Sequence, residues 1–172
     1  LSDAIKEAGN VVLVSKLLQK TKTSEDSNLI DVYDSIEYSD LNFSMYAKHG
    51  YANLLTDPPA VYQDDVKQCR AFVPKYTVNN DEQYAFAVQM CMMFDPEKTK
   101  RFLARQKEEE IINYRGNVEI QDIRLKSVRE KETSTTRYPL MFYAVDVDQI
   151  LNGEVLPELF NNSIVIVGFL GS

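Results

Sequence analysis

Few residues in this sequence have the types and spacing that catalysis requires. His49 is the single histidine and no Gly-x-Ser-x-Gly turn is present, so the sequence lacks a nucleophilic triad. The place of His49 beside Gly50, at the end of a predicted helix, is typical of a surface or capping residue. One histidine and two cysteines also supply neither the ligands nor the spacing of a zinc site.

Two close carboxylate pairs are the remaining candidates for acid–base chemistry. Asp64 and Asp65 are adjacent, and neighbouring side chains on a strand point to opposite faces, so these two carboxylates would diverge. Asp146 and Asp148 fall near a predicted helix start, where capping and the helix dipole account for them. The sequence therefore predicts a protein that is not an enzyme and that needs no cofactor.

The composition is that of an ordinary globular domain. The chain has 172 residues, enough for one substantial core, with 44% apolar and 26% charged residues. A net charge of -7 argues against nucleic acid or an anionic membrane surface as the main partner, because both require a basic face. Cys69 and Cys91 either form a bridge or lie buried as small apolar residues, and burial is the favoured interpretation.

The apolar pattern predicts an α/β fold, a single domain over residues 1–172 with helices flanking a mixed, partly parallel sheet. A helix over residues 1–8 ends at Gly9 and leads into a buried strand at residues 11–14. The same run of β-branched residues predicts a second buried strand at residues 164–167. Because the chain opens within a helix and closes just after a strand, we expect targeting and membrane segments to lie outside it.

Three further helices are predicted between these strands. A helical spacing near Phe43 ends at Gly50, and the clearest helix covers residues 80–94 with Asn80 as its cap. Asp95 caps a surface helix that follows directly. A short fourth helix begins after Asp146 and is expected to turn three apolar side chains inward: Val147, Ile150 and Leu151.

Shorter strands are predicted at three places. One covers residues 51–55, one covers residues 68–76 with an interruption at Pro74, and one covers residues 111–114. These strands place several polar side chains at or near strand ends, where they could meet a ligand.

Several motifs follow one another in the order of a known family. Residues 142–146 and 150–153 carry a Tyr-Ala step and a Leu-x-Gly helix end, and residues 156–160 carry a Pro-x-Leu-Phe turn. Residues 164–168 close with an apolar strand that ends in glycine. Together with the Ile-Asn-Tyr-Arg-Gly sequence at residues 112–116, this order resembles the second CHASE family of sensory domains.

The resemblance extends towards the start of the chain. The Gly-Tyr-Ala-Asn sequence at residues 50–53, and Asp65 with Arg70 beyond it, are similar to the family's strand and hairpin. Two positions depart from the family pattern: the hairpin has no glycine after Asp65, and residues 168–171 read Gly-Phe-Leu-Gly in place of Gly-Ala-Thr-Ala. These departures indicate a divergent member, whose ligand preference need not follow that of the family.

The resemblance implies a sensory domain on the outer side of a bacterial cytoplasmic membrane. It implies flanking transmembrane helices and a cytoplasmic output domain as partners, an unknown small-molecule ligand, and a possible homodimer. The candidate ligand-binding residues are four polar side chains at or near predicted strand ends: Asn53, Arg70, Asn113 and Arg115. A ligand-free structural or dimerisation module is the alternative function, and an α/β enzyme domain is the third.

Overall fold

The protein is described by a computed structural model, which covers residues 1–18, 33–53, 71–113, 120–122 and 142–168. The chain divides into two compact units, Leu1–Asn113 and Tyr114–Ser172. The single domain expected over residues 1–172 stays a prediction.

The first unit is built around a three-stranded mixed sheet. Helix α1 (Ser2–Ala8) ends at Gly9, whose φ of 63° is the left-handed conformation predicted for it. Strand β1 (Val12–Leu18) follows and lies at the centre of the sheet. It pairs antiparallel with β2 (Ser35–Glu37) and parallel with β3 (Lys48–Tyr51), which confirms the α/β class with a partly parallel sheet.

Gly50 lies inside β3 and not at a helix end, so the prediction for this glycine was wrong. Helix α2 (Leu41–Ser44) is short, and the Asp40 carboxylate caps it by accepting a hydrogen bond from the Asn42 N–H at 2.9 Å. A Cβ atom at position 50 would lie only 2.5 Å from the Cα of Phe86. The glycine therefore permits a close approach between a strand and a neighbouring backbone.

The predicted helix over residues 80–94 was wrong in its first third. Strand β5 (Lys75–Val78) and strand β6 (Asp81–Tyr84) form an antiparallel hairpin there. The two loop residues, Asn79 and Asn80, have φ angles of 51° and 70°, as the common two-residue hairpin turn requires. Asn80 is thus a turn residue, not a helix cap.

Two consecutive helices follow the hairpin. Helix α3 (Phe86–Phe94) packs against β1 and β3, and helix α4 (Pro96–Leu103) packs against α3. The predicted cap of α4 is confirmed, since the Asp95 carboxylate accepts a hydrogen bond from the Lys98 N–H at 3.0 Å. Beyond α4 the chain pairs β7 (Glu110–Ile111) antiparallel with β4 (Ala71–Phe72), and the break predicted at Pro74 separates β4 from β5.

The core of the first unit lies between the sheet and α3. Its buried apolar members come from β1, β3, the hairpin, and α3 with its N-cap: Leu17, Tyr51, Val78, Ala85 and Val88. Burial along β1 is uneven, because Ser15 and Leu17 are buried whereas Val14 is 47% exposed. The strand predicted at residues 11–14 is therefore present, but it is not buried as its apolar run predicts.

The described residues of the second unit, 120–122 and 142–168, form a parallel pair of short strands and two short helices. Strand β8 (Ile120–Asp122) pairs with β9 (Phe142–Ala144). Helix α5 (Val147–Leu151) begins after Asp146 as predicted, and a 3-10 helix covers Pro157–Phe160. The predicted inward orientation of the α5 side chains was wrong, since three apolar residues are exposed: Val147, Ile150 and Leu151.

Residues 164–167 do not form the buried strand that their sequence predicts. These residues are not part of a strand, and their exposed fraction rises from 45% at Ile164 to 84% at Val167. β-branched residues favour strands because their side chains pack well on a pleated sheet. None of the described strands pairs with residues 164–167, so this packing is not available to them. No helix within the described ranges is long and apolar enough to span a membrane.

Candidate functional site

An apolar cleft opens between α3, α4 and β4 in the first unit. Its volume is about 400 Å³. Ligand sites commonly measure roughly 300–1,000 Å³ and combine apolar walls with a few polar groups, so the cleft falls within the range for a small ligand. Nine residues line it: Phe72, Ala87, Val88, Cys91, Phe94, Asp95, Lys98, Thr99 and Phe102.

The aromatic wall of the cleft consists of two stacked rings from different elements. Phe72 on β4 and Phe102 on α4 lie with their ring centroids 6.5 Å apart and their planes 6° from parallel. The Arg105 guanidinium lies 4.5 Å from the Phe102 centroid and pairs with the Glu110 carboxylate at 2.7 Å. Because Glu110 is opposite Phe72 in the β4–β7 ladder, both rings are held through one continuous set of contacts.

Helix α3 supplies the opposite wall of the cleft and also packs against the core. Val88 is 4% exposed and belongs to the core, yet it also lines the cleft. Ala87 and Cys91 line the cleft as exposed residues. Cys91 carries a free thiol and is exposed, so the burial expected for this cysteine was wrong. Cys69 lies outside the described residues.

Charged groups at the cleft are concentrated where α3 gives way to α4. The Lys98 Nζ lies 2.8 Å from the Asp95 Oδ2, and the other Asp95 oxygen accepts the Lys98 backbone N–H. These hydrogen bonds hold the pKa of the Asp95 carboxyl below its usual value, with a smaller electrostatic contribution from Arg101. Both Asp95 oxygens are thus engaged, one by the helix cap and one by the Lys98 ammonium, while the Lys98 side chain is 77% exposed.

Two of the four predicted ligand-binding residues can be located. The Asn53 side chain bonds to the backbone of Leu17: its Oδ1 accepts from Leu17 N at 2.7 Å and its Nδ2 donates to Leu17 O at 3.0 Å. Asn113 is exposed, two residues after β7. Neither asparagine lines the cleft. Arg70 and Arg115 lie outside the described residues.

His49 occupies a strand and not the helix end predicted for it. Its ring meets the Tyr38 ring edge to face at 5.0 Å between centroids, and its Nε2 is buried with no hydrogen-bond partner among the described residues. Burial lowers the pKa of His49 below its ordinary value. The imidazole therefore packs as a neutral aromatic ring near neutral pH.

Three tyrosines form a second polar cluster, inside the core of the first unit. The Tyr51 hydroxyl donates to Val73 O at 2.6 Å, and Tyr33 and Tyr76 meet edge to face at 5.3 Å. Burial is the main cause that raises the pKa of Tyr51, followed by the proximity of Tyr33 and Tyr76. These hydroxyls stabilise the packing of the core.

The carboxylates considered for acid–base chemistry lie at the start of α5, as Asp146 and Asp148 do, or outside the described residues. Asp146 belongs to a capping box, in which the Gln149 side chain accepts a hydrogen bond from the Asp146 N–H at 3.0 Å. Asp64 and Asp65 lie outside the described residues. In the described part of the chain, no group of three histidine, cysteine or acidic side chains could hold a metal ion.

Comparison with known proteins gives no relative: no family model matches the chain, and neither the curated proteins nor the solved structures contain a match.

The residues that form the cleft were not predicted as a site from the sequence. In the sequence, Ala87, Cys91 and Lys98 belong to two predicted helices with no feature that marks a binding site. The available signal was the Asp95–Pro96 break, which turns the chain so that the end of α3 and the start of α4 share one surface. The partner of that surface, Phe72, lies too far away in sequence to be inferred from spacing.

Proposed function

We propose that this chain is an extracytoplasmic ligand-sensing domain of a bacterial membrane receptor, and that the cleft between α3 and α4 is its ligand site. The observation that carries the proposal is the cleft itself, about 400 Å³ with an aromatic wall and a charged rim. The placement outside the cytoplasmic membrane is supported by the resemblance to the second CHASE family.

The packing of α3 supports a route from ligand binding to a conformational change. A ligand in the cleft would contact Val88, which is also a core residue beside the central sheet. At the start of the same helix the backbone of Phe86 approaches Gly50 of β3 without room for a Cβ atom. A ligand that favours one position of α3 would therefore shift the equilibrium of the strands that α3 covers.

The ligand site is tested by a thermal-shift screen of small metabolites on two matched variants. Ala87→Trp fills the cleft from an exposed helical position, and Ala4→Trp makes the same change on α1, away from the cleft. We expect ligands that raise the melting temperature of the wild type and of Ala4→Trp to have no effect on Ala87→Trp. Hits that act equally on all three proteins would contradict the proposed site.

The same screen tests the polar residues predicted from the sequence. Arg115→Ala and Asn113→Ala are compared with the wild type for each hit. Loss of the ligand-induced shift in these variants, with the shift retained in Ala87→Trp, would place the ligand site at the predicted strand ends instead of the cleft.

The membrane placement is tested in the natural full-length protein. Alkaline phosphatase is active only outside the cytoplasm, so its fusion directly after this chain is expected to be active in cells. A fluorescent protein that folds only in the cytoplasm serves as the reciprocal fusion. An inactive phosphatase with a fluorescent reciprocal fusion would reject the extracytoplasmic placement.

A second candidate function is a dimerisation module without a ligand. The second unit favours it, because residues 164–167 and two nearby leucines expose apolar side chains: Leu151 at 78% and Leu156 at 73%. Sedimentation equilibrium of the chain distinguishes the two candidates. Dimers that dissociate in Leu156→Glu, together with no hit in the ligand screen, would favour this second function.

A further inference from the structure

The charges around the cleft favour a particular class of ligand. Asp95 uses one carboxylate oxygen to cap α4 and the other to pair with Lys98, so it has little capacity for a ligand cation. Lys98 carries three N–H donors on its ammonium group, of which the pair with Asp95 engages one. Arg101 lies close enough to Asp95 to act on it electrostatically. The charged side chains that line the cleft are thus one anion, Asp95, and one cation, Lys98, whose ammonium group has N–H donors that the pair does not engage.

This donor capacity at the rim of the cleft contrasts with the net charge of the chain, which is -7. The neighbouring cation on α4, Lys100, is paired with Glu97 at 3.1 Å and does not line the cleft. A ligand that enters the apolar interior with one negative group left at the rim would meet the ammonium of Lys98 there. A cation at the same position would meet the ammonium group of Lys98.

The interior of the cleft selects for an apolar body. The stacked rings of Phe72 and Phe102 offer aromatic surface, and Ala87, Val88 and Phe94 complete the walls. The Thr99 hydroxyl, the one neutral polar group of the lining besides the Cys91 thiol, already donates to Asp95 O at 2.8 Å. A polar ligand such as a sugar would therefore find few partners inside.

We infer that the cleft binds a small amphipathic carboxylate, with its aromatic or aliphatic body between Phe72, Phe102 and α3 and its carboxylate on Lys98. The inference rests on the proposed function, since it names the ligand class of the same site. The negative group of the ligand, and not a set of hydrogen bonds inside the cleft, determines which ligands the cleft prefers.

Three probes of equal length and different charge test this class by isothermal titration calorimetry. They are 4-phenylbutyrate, the neutral 4-phenylbutanamide and the cationic 4-phenylbutylamine. We expect 4-phenylbutyrate to bind the wild type about five-fold more tightly than the amide, the effect of one partly solvated charge pair. Lys98→Gln should remove this difference, whereas the matched Lys100→Gln should retain it.

The same titrations separate failure of the ligand class from failure of the proposed site. Equal affinities for the three probes, or tightest binding of the amine, overturn the carboxylate inference while the site stands if Ala87→Trp abolishes binding. Binding of 4-phenylbutyrate that Ala87→Trp leaves unchanged, or no binding of any probe, overturns both.

Cys91 provides a measurement that needs no variant. Its thiol is exposed and lines the cleft, so a bound probe should shield it from iodoacetamide. Peptide mapping by mass spectrometry follows Cys91 separately from Cys69. We expect 4-phenylbutyrate to slow alkylation of Cys91 more than the amide or the amine does at equal concentration. An alkylation rate that 4-phenylbutyrate leaves unchanged at saturating concentration would overturn the inference.

Discussion

Asn53 allows a direct test of a structural role against a ligand-binding role. In Asn53→Ala the backbone N–H and C=O of Leu17 both lose their partner, at the end of the central strand β1. The two bonds resemble a pair in a β ladder, in which a side-chain amide replaces a neighbouring strand. We therefore expect the substitution to weaken the fold and to leave the cleft unaffected.

The magnitude follows from the two hydrogen bonds. Each contributes about 0.5–1.5 kcal/mol net to the free energy of unfolding. The free energy of unfolding should fall by about 2 kcal/mol. With a urea dependence of about 2 kcal/mol per molar, the unfolding midpoint should move down by about 1 M.

Urea denaturation followed by circular dichroism measures this change. Asn42→Ala is the matched control, because Asn42 is exposed on α2 and its loss should change stability by less than about 0.5 kcal/mol. The thermal shift produced by 4-phenylbutyrate should be the same in Asn53→Ala as in the wild type. Unchanged stability with a lost ligand shift would refute the structural assignment and restore Asn53 as a binding residue.

Two further positions test the packing of the first unit. Gly50→Ala places a Cβ atom 2.5 Å from the Cα of Phe86, and the forced displacement should cost about 1–3 kcal/mol in urea denaturation. Gly168→Ala, with no atom within 4 Å of the added Cβ, should be neutral. Tyr51→Phe removes the 2.6 Å hydrogen bond to Val73 O and should cost about 1–2 kcal/mol. The raised pKa of Tyr51 means that the folded state resists ionisation of this hydroxyl more than the unfolded state does. The stability from Tyr51 is therefore present below about pH 10 and falls as the pH rises above it, an effect that Tyr51→Phe should reduce. Equal alkaline unfolding of both proteins would contradict this explanation.

Much of the fold could be predicted because local signals and tertiary packing agree. Gly9 stops α1 in the left-handed conformation, Asp95 caps α4, and the apolar run after Gly9 becomes the central strand. Each of these depends on one or two residues acting on their immediate neighbours. The local structure that these residues predict therefore does not depend on distant parts of the chain.

The helix predicted at Asn80 failed because one pattern had two interpretations. Asn80 followed by Gln83 matches a capping box, but Asn79–Asn80 also matches a hairpin loop with two positive φ angles. The pairing of β5 with β6 decides between them, and that pairing also includes the Lys75–Glu82 contact at 2.6 Å across the hairpin. A pattern within one stretch of sequence does not reveal such contacts between two strands.

The candidate site could not be predicted for a different reason. A polar residue near a strand end suggests binding, and Asn53 met that description, yet its amide is engaged by Leu17. The cleft instead uses apolar residues, which in a sequence are indistinguishable from core. What separates Ala87 and Cys91 from Val88 is only the direction in which each leaves α3, and the Asp95 break sets that direction relative to Phe72 and Phe102. A site made from the outer faces of two consecutive helices can be identified only when the turn between them is known.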